Sequence, residues 1–201
     1  MGELTGIAAV TIDAYGTLVE LVDPVPALQA ALAERGVERD AERVRAAFRE
    51  EVAYYRPRSV EGKDAESLAA LRVTCTGVFL GATEAELDPA EFAPAFVDAL
   101  VFHPIAGAVE AVERFRAQGL ALAVVSNWDV GLHEKLGALA AHFQVVVTSA
   151  EAGAPKPDPA VFLAALERLG VAAARALHIG DEQGDEDGAR AAGMQFRWAP
   201  L

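Results

Sequence analysis

The sequence has almost no cysteine. Cys75 is the only one in 201 residues, so no intramolecular disulfide can form and the chain suits a reducing compartment. Basic residues are scarce as well. Seventeen Lys and Arg against 30 Asp and Glu leave a formal net charge of -13. That balance argues against a nucleic-acid-binding surface and against attraction to anionic membranes. It does not call for a cationic substrate, because acidic proteins often hold anions in locally positive pockets. No apolar stretch reaches membrane-spanning length without charges. The N-terminus has no basic region followed by an apolar run, so no signal peptide is expected, and a cytoplasmic setting is. Long polar runs, internal repeats and low-complexity tracts are missing too, which excludes a mainly disordered chain. The four histidines, His103, His133, His142 and His178, show no metal-ligand spacing and are assigned no metal. Cys75 lies among apolar residues of a helical segment and reads as core packing rather than as a nucleophile.

What is present is a rhythm of buried strands and helices. Apolar runs suited to parallel strands occur at residues 7–12, 120–126, 145–148, 176–180 and 194–199. Helical patterns at 106–118, 128–140, 159–169 and 185–192 alternate with the later strands. Such alternation predicts a parallel sheet covered by helices on both faces. The interval from about residue 21 to 103 breaks the rhythm and contains no convincing strand. It reads as four helices, at 25–35, 40–55, 63–80 and 89–101, with a turn or linker at 56–59. Asp40 and Asp88 are expected N-caps, and Pro89 suits a first helical position. The 201 residues are thus expected to form one core domain carrying a helical insert.

Polar residues stand at four strand ends. Asp13 closes the first, and Gly16-Thr17 follow in a turn. Ser126-Asn127 close the second. Lys156, within Lys-Pro-Asp-Pro159, follows the third. Gly180-Asp181 close the fourth, with Asp185 four residues on. Each has an ordinary explanation: an N-cap, a turn, or a first-turn carboxylate favoured by the helix dipole. In a parallel sheet, however, all of them reach the same edge, where ligands bind. Asp13, Asp181 and Asp185 brought together would repel one another. A divalent cation removes that conflict, and an all-oxygen donor set suits Mg²⁺. Lys156 supplies a cation, and the Ser126 hydroxyl and the 14–17 backbone amides can cradle phosphate oxygens.

With these motifs the chain resembles the haloacid dehalogenase-like hydrolase superfamily over nearly its whole length. The resemblance rests on Asp13-Ala-Tyr-Gly-Thr-Leu18, Ser126-Asn127, Lys156 with its following Pro-Asp-Pro, Gly180-Asp-Glu-Gln-Gly-Asp185 and the Gly188-Ala-Arg-Ala-Ala-Gly193 continuation. It implies an α/β Rossmann-like core over 1–20 and 104–201 and an α-helical cap over 21–103. It implies Asp13 as nucleophile, with Ser126 and Lys156 as catalytic partners. Thr17, Asn127 and Arg49 become the candidate substrate-binding residues. The implied Mg²⁺ ligands are Asp13, the Tyr15 carbonyl, Asp181 and, directly or through water, Asp185. The expected partner is a small molecule, a phosphorylated metabolite or a haloacid, and the resemblance allows a monomer or a homodimer.

Tyr15 is the departure. Phosphatases of this family usually carry Asp two residues after the nucleophile as general acid and base, whereas Asp-Ala-Tyr-Gly-Thr-Leu is similar to the 2-haloacid dehalogenases. Three readings stay open: a Mg²⁺-dependent phosphohydrolase, a metal-independent dehalogenase, and a binder that has lost the acid and base. Gly-Asp at 180–181 with Asp185 favours the first and Tyr15 the second. Arg49 also fits the second as a cap arginine, although it reads more readily as a solvated helix residue. Tyr54 and Tyr55 read as cap packing.

Overall fold

The structure, a computed structural model, describes residues 4–201. The elements in chain order are β1 (Ala9–Ile12), β2 (Val19–Leu21), α1 (Val25–Ala33), α2 (Ala41–Tyr55), α3 (Ala65–Thr83), α4 (Pro89–Asp98), β3 (Phe102–Pro104), α5 (Ala108–Ala117), β4 (Ala121–Ser126), α6 (Leu132–Lys135), β5 (Val145–Thr148), α7 (Ser149–Ala152), α8 (Ala160–Leu169), β6 (Ala176–Gly180), α9 (Gln183–Ala191) and β7 (Gln195–Trp198). Five strands form a parallel sheet in the order β5-β4-β1-β6-β7. The central strand β1 is fully buried on both faces, which is why it reads as an unbroken apolar run.

Period-two alternation sorts the two faces. Val10, Ile12, Leu122, Val124, Leu177 and Ile179 pack with Val112 and Phe115 of α5. Ala9, Ala123, Val125 and Ala176 face Val161 and Phe162 of α8. The small side chains on this second face let α8 lie close to the sheet. At Gly188 of α9 a Cβ would run into the ring of Phe162, so only glycine fits there. Helices therefore cover both faces, as the strand pattern predicts.

The inserted segment has an apolar core of its own. Leu28 and Leu32 of α1, Val44 of α2, Phe79 of α3, and Phe92 and Phe96 of α4 meet there. Burial of each such side chain stabilises by about 1.5–3 kcal/mol. Asp40 and Asp88 cap α2 and α4 through backbone N–H groups, and Pro89 opens α4. Asp64 caps α3 in the same way. The 56–59 turn is a short 3₁₀ segment running over Arg56–Glu61.

Two expectations are corrected. Strands β2 and β3 form a small antiparallel ribbon, pairing Glu20 with His103 where the insert leaves and rejoins the core. Each strand has three residues, and their partners are more than 80 positions apart, so no local periodicity announces them. The expected 128–140 helix is broken. Asp129 accepts a hydrogen bond from the Gly131 N–H, α6 is a single turn, and Gly137 adopts φ 51°. Only a 3₁₀ turn follows, at Gly137–His142.

Candidate active site

Parallel strands bring their C-terminal ends to one edge, and the polar residues meet there. Asp13 is 5% exposed. Its Oδ1 accepts hydrogen bonds from Ser126 Oγ (2.9 Å) and Lys156 Nζ (2.5 Å). Its Oδ2 takes no part in these bonds. Lys156 Nζ also donates to Asp185 Oδ1 at 2.5 Å and to the Val125 carbonyl at 3.4 Å, so its three protons are committed. Burial alone would lower the pKa of Lys156. The carboxylates of Asp13 and Asp185 reverse this and hold it above its ordinary value, so the ammonium stays charged.

The turn after β1 needs its glycine. Gly16 has φ +84°, and a Cβ there would overlap the Asp181 carboxyl group. Asp181 therefore approaches the turn after Asp13 closely. Its Oδ1 accepts from Thr17 Oγ1 at 2.9 Å. Burial, with Asp13 and Asp185 nearby, raises the Asp181 pKa, while the Thr17 bond opposes the rise. Carboxylate oxygens of Asp13, Asp181 and Asp185 lie within 4.8 Å of one another. One ammonium, placed between Asp13 and Asp185, offsets only part of the charge of the three carboxylates, and oxygen donors at this spacing fit a hard divalent cation.

His178 is the residue that sequence reasoning misses here. It is fully buried in β6, its Nε2 lies 3.0 Å from Asp185 Oδ1, and its Nδ1 lies 2.8 Å from Thr11 Oγ1. An ionised carboxylate can only accept, so Nε2 carries the proton and Nδ1 accepts from Thr11. Burial, with Lys156 nearby, lowers the pKa of His178 and keeps it neutral. Burial would raise the pKa of Asp185. The His178 bond and the Lys156 charge hold it well below its ordinary value instead. With Asp185 Oδ2 taking the Glu182 N–H, both of its oxygens are occupied. The signal was present, since His178 and Asp185 bracket the Gly180 turn, but a lone histidine in a strand reads as packing.

The candidate substrate-binding residues fall in three different places. Thr17 is buried against Asp181. Asn127 spends its amide on the Lys156 backbone, donating to its carbonyl (3.1 Å) and accepting from its N–H (2.6 Å). It pins the lysine loop. Arg49 is exposed and lines the cavity that opens from Asp13.

That cavity, about 490 Å³, lies between the sheet edge and the helical insert. Tyr15 sits at its wall, 43% exposed, its ring edge-on to Phe102, which in turn packs against Trp128. Tyr55 reaches across from α2 and donates to Asp129 Oδ2 at 2.9 Å, so its role extends beyond packing within the cap. Arg72 pairs with Glu134, and Lys135 Nζ donates to the Val97 and Leu100 carbonyls at the end of α4. These bonds join the insert to the core around the cavity rim.

Glu51 of α2 also lines the cavity and is 5% exposed. Burial pushes its carboxyl up to about 7, opposed by a hydrogen bond from the Cys75 thiol of α3. Tyr55, Arg72 and Asp129 line the same cavity. An acid with a raised folded pKa stabilises the fold below its unfolded value, 4.5, and loses that contribution as pH rises through about 7. Relative to Glu51→Gln, the natural protein is expected to lose up to about 3 kcal/mol between mildly acidic and mildly alkaline pH. Urea unfolding of both proteins at the two pH values measures this. Parallel stability curves would place the proton elsewhere.

Among the described residues no helix is long and apolar enough to cross a membrane. A family model described as haloacid dehalogenase-like hydrolase matches residues 7–193. Haloacid dehalogenase-like hydrolase domain-containing protein 3 of Bos taurus is 48% identical over 91 residues, 44% of this chain and 36% of that protein. A phosphoglycolate phosphatase of Thiobacillus denitrificans is 36% identical over 136 residues, 61% of this chain and 60% of that protein. The match thus spans less than two thirds of either relative. Among solved structures, HAD-hydrolase YfnB of Bacillus subtilis superposes with a TM-score of 0.72 at 20% identity, covering 96% of this chain and 88% of that one. A 2-haloacid dehalogenase of Pseudomonas syringae superposes with a TM-score of 0.65 at 27% identity, covering 96% and 86%.

Proposed function

Since the chain belongs to the haloacid dehalogenase-like hydrolase family, we propose that it is a Mg²⁺-dependent phosphohydrolase acting on a small phosphorylated metabolite. The observation that carries this reading is the state of Asp13. One oxygen is held by Ser126 and Lys156, the other takes no hydrogen bond among the described residues, and the carboxylates of Asp181 and Asp185 stand within 4.8 Å. A dehalogenase has no use for that concentration of negative charge, which would repel the carboxylate of a haloacid.

Asp13 Oδ2 attacks the phosphorus, the P–O bond to the leaving group breaks with its electron pair going to the leaving oxygen, which takes a proton from solvent, and an acyl phosphate forms on Asp13. Water then attacks the phosphorus and gives up its proton to solvent, the bond from phosphorus to Asp13 Oδ2 breaks, phosphate departs, and the Asp13 carboxylate is restored. Lys156 and Ser126 orient the nucleophile by holding its Oδ1. Asp13, Asp181, the Tyr15 carbonyl and Asp185 are the candidate holders of Mg²⁺, with Asp185 placed for contact through water because its own oxygens are occupied. When bound, Mg²⁺ offsets the charge of the incoming phosphate. The relative named phosphoglycolate phosphatase supports phosphate esters as the substrate class. The single cysteine and the acidic charge agree with a cytoplasmic enzyme acting on small molecules.

The dehalogenase reading is kept as an alternative because Tyr15 stands at the position of the usual acid, and a halide needs no proton to leave. Product release from phosphate esters, including an aryl phosphate, and from short 2-haloacids separates the two. Each is run with Mg²⁺ and with EDTA. Phosphate release that requires Mg²⁺ is the expected result. Halide release persisting in EDTA would overturn it. A phenol hydroxyl is a poor general base at neutral pH. Tyr15→Asp is accordingly expected to raise turnover of esters with poor leaving groups by about 10²-fold, the low end of general acid–base catalysis. No gain in a folded, Mg²⁺-binding variant would mean that the pocket is not built for phosphate esters.

A further inference from the structure

The cavity beyond Asp13 has a chemistry that the hydrolytic residues do not use. Its walls are apolar over Phe48, Val52, Leu71, Phe96, Leu100 and Trp128. A volume of about 490 Å³ exceeds what a phosphate group alone occupies. Most polar groups on the walls are already paired. Asp129 accepts from Tyr55 Oη and from the Gly131 N–H, Arg72 holds Glu134, and Lys135 holds two helix carbonyls. Arg49 is exposed.

Glu51 differs from all of these. It is almost wholly buried, yet the group that offsets its burial is the Cys75 thiol, a weak donor. Among the described residues no fully buried side-chain oxygen lacks a partner, so the acceptor capacity that Glu51 keeps is directed at the cavity it lines, where an arriving donor can use it.

We propose that Glu51 is a specificity-determining residue that receives a hydrogen-bond donor at the far end of the leaving group, so that the substrate is a phosphate monoester with an apolar body ending in a hydroxyl or an ammonium. The proposal rests on the phosphohydrolase reading for the position of the phosphate. Phosphate sits at Asp13, the apolar body lies against the aromatic and aliphatic wall, and the terminal donor meets Glu51. The raised carboxyl pKa fits such a site. In the free protein the group is partly protonated near neutrality, and a bound donor favours its ionised form. A site built to pair with a donor rejects the analogue lacking it more strongly than a hydrophobic wall rejects a change of one methylene.

The test uses n-alkylphosphonates of increasing length in three matched series, ending in methyl, hydroxyl or ammonium. Their affinities are measured by calorimetry with Mg²⁺ for the natural protein, Glu51→Leu and Glu51→Gln. In the natural protein, at the length that spans the cavity, a donor-ended phosphonate is expected to bind about tenfold or more tightly than its methyl-ended partner. Glu51→Leu abolishes or inverts this ratio. Glu51→Gln keeps the hydroxyl preference and loses any ammonium preference, which tells the two donors apart and covers a failure of Glu51→Leu to fold. Equal binding of the three series, or a preference that survives in Glu51→Leu, overturns the proposal. Phosphate release from the matching alkyl phosphates is followed in parallel. Donor preference without phosphate release would sink the hydrolase reading and leave the Glu51 subsite standing. Phosphate release without donor preference would do the reverse.

Discussion

Asp13→Asn is expected to lower phosphate release on the order of 10⁴-fold or more, the scale of losing a nucleophile outright, while the protein stays folded. Asparagine has the shape of aspartate, and its carbonyl oxygen can still accept from Ser126 Oγ and Lys156 Nζ. What disappears is the ionised Oδ2, the oxygen that takes no part in the Ser126 and Lys156 bonds. The substitution also removes one of three neighbouring carboxylates that share a single ammonium, which itself touches only Asp13 and Asp185. Self-repulsion falls, so the melting temperature should hold or rise rather than drop. Activity and melting temperature thus move apart, which separates loss of chemistry from loss of fold. Retention of more than about a tenth of the natural rate would mean that Asp13 is not the nucleophile, because general electrostatic help from a neighbour does not replace a missing covalent step.

The frame of this site is legible in the sequence because it depends on short-range patterns. A buried strand that ends in a carboxylate and a glycine turn is visible as apolar run, Asp13, Gly16. Parallel order then carries Ser126, Lys156 and Asp181 to the same edge without further information. Asp40, Asp88 and Pro89 announce helix starts for equally local reasons. Residues whose meaning depends on contacts across the chain are a different matter. His178 joins Thr11, 167 positions away, to Asp185. Tyr55 joins Asp129, 74 positions away. The Val19–Leu21 and Phe102–Pro104 strands meet only because the insert returns to its starting point. Thr17 and Asn127 sit inside the expected motifs, but their side chains are taken up by Asp181 and by the Lys156 backbone. A motif names the positions near a phosphate. It does not say which of them touch it and which hold the ones that do.

Lys156→Met tests the electrostatic balance of the whole edge. The ammonium is 6% exposed and contacts Asp13 and Asp185, whose side chains are 7% and 1% exposed. Methionine fills nearly the same volume and removes only the charge and its hydrogen bonds. Two buried carboxylates then face each other without a counter-charge, although Ser126, His178 and the Glu182 N–H still reach them, and breaking a buried pair from one side costs about 3–5 kcal/mol. In a chain of this length that corresponds to a fall in melting temperature of about 10 °C. Three consequences distinguish this cause from a packing defect. The loss should be deeper near neutrality than in mild acid, because protonating a carboxylate relieves the repulsion. Adding Asp13→Asn to the same chain should recover part of it, so that the two substitutions are non-additive by about 1–3 kcal/mol. Mg²⁺ should protect the variant more than it protects the natural protein, since a divalent cation takes over the compensation that Lys156 supplied. A loss that does not depend on pH, on Asp13 or on Mg²⁺ would show that Lys156 contributes shape rather than charge. The mechanism would then lose its reason for keeping a buried ammonium against the nucleophile.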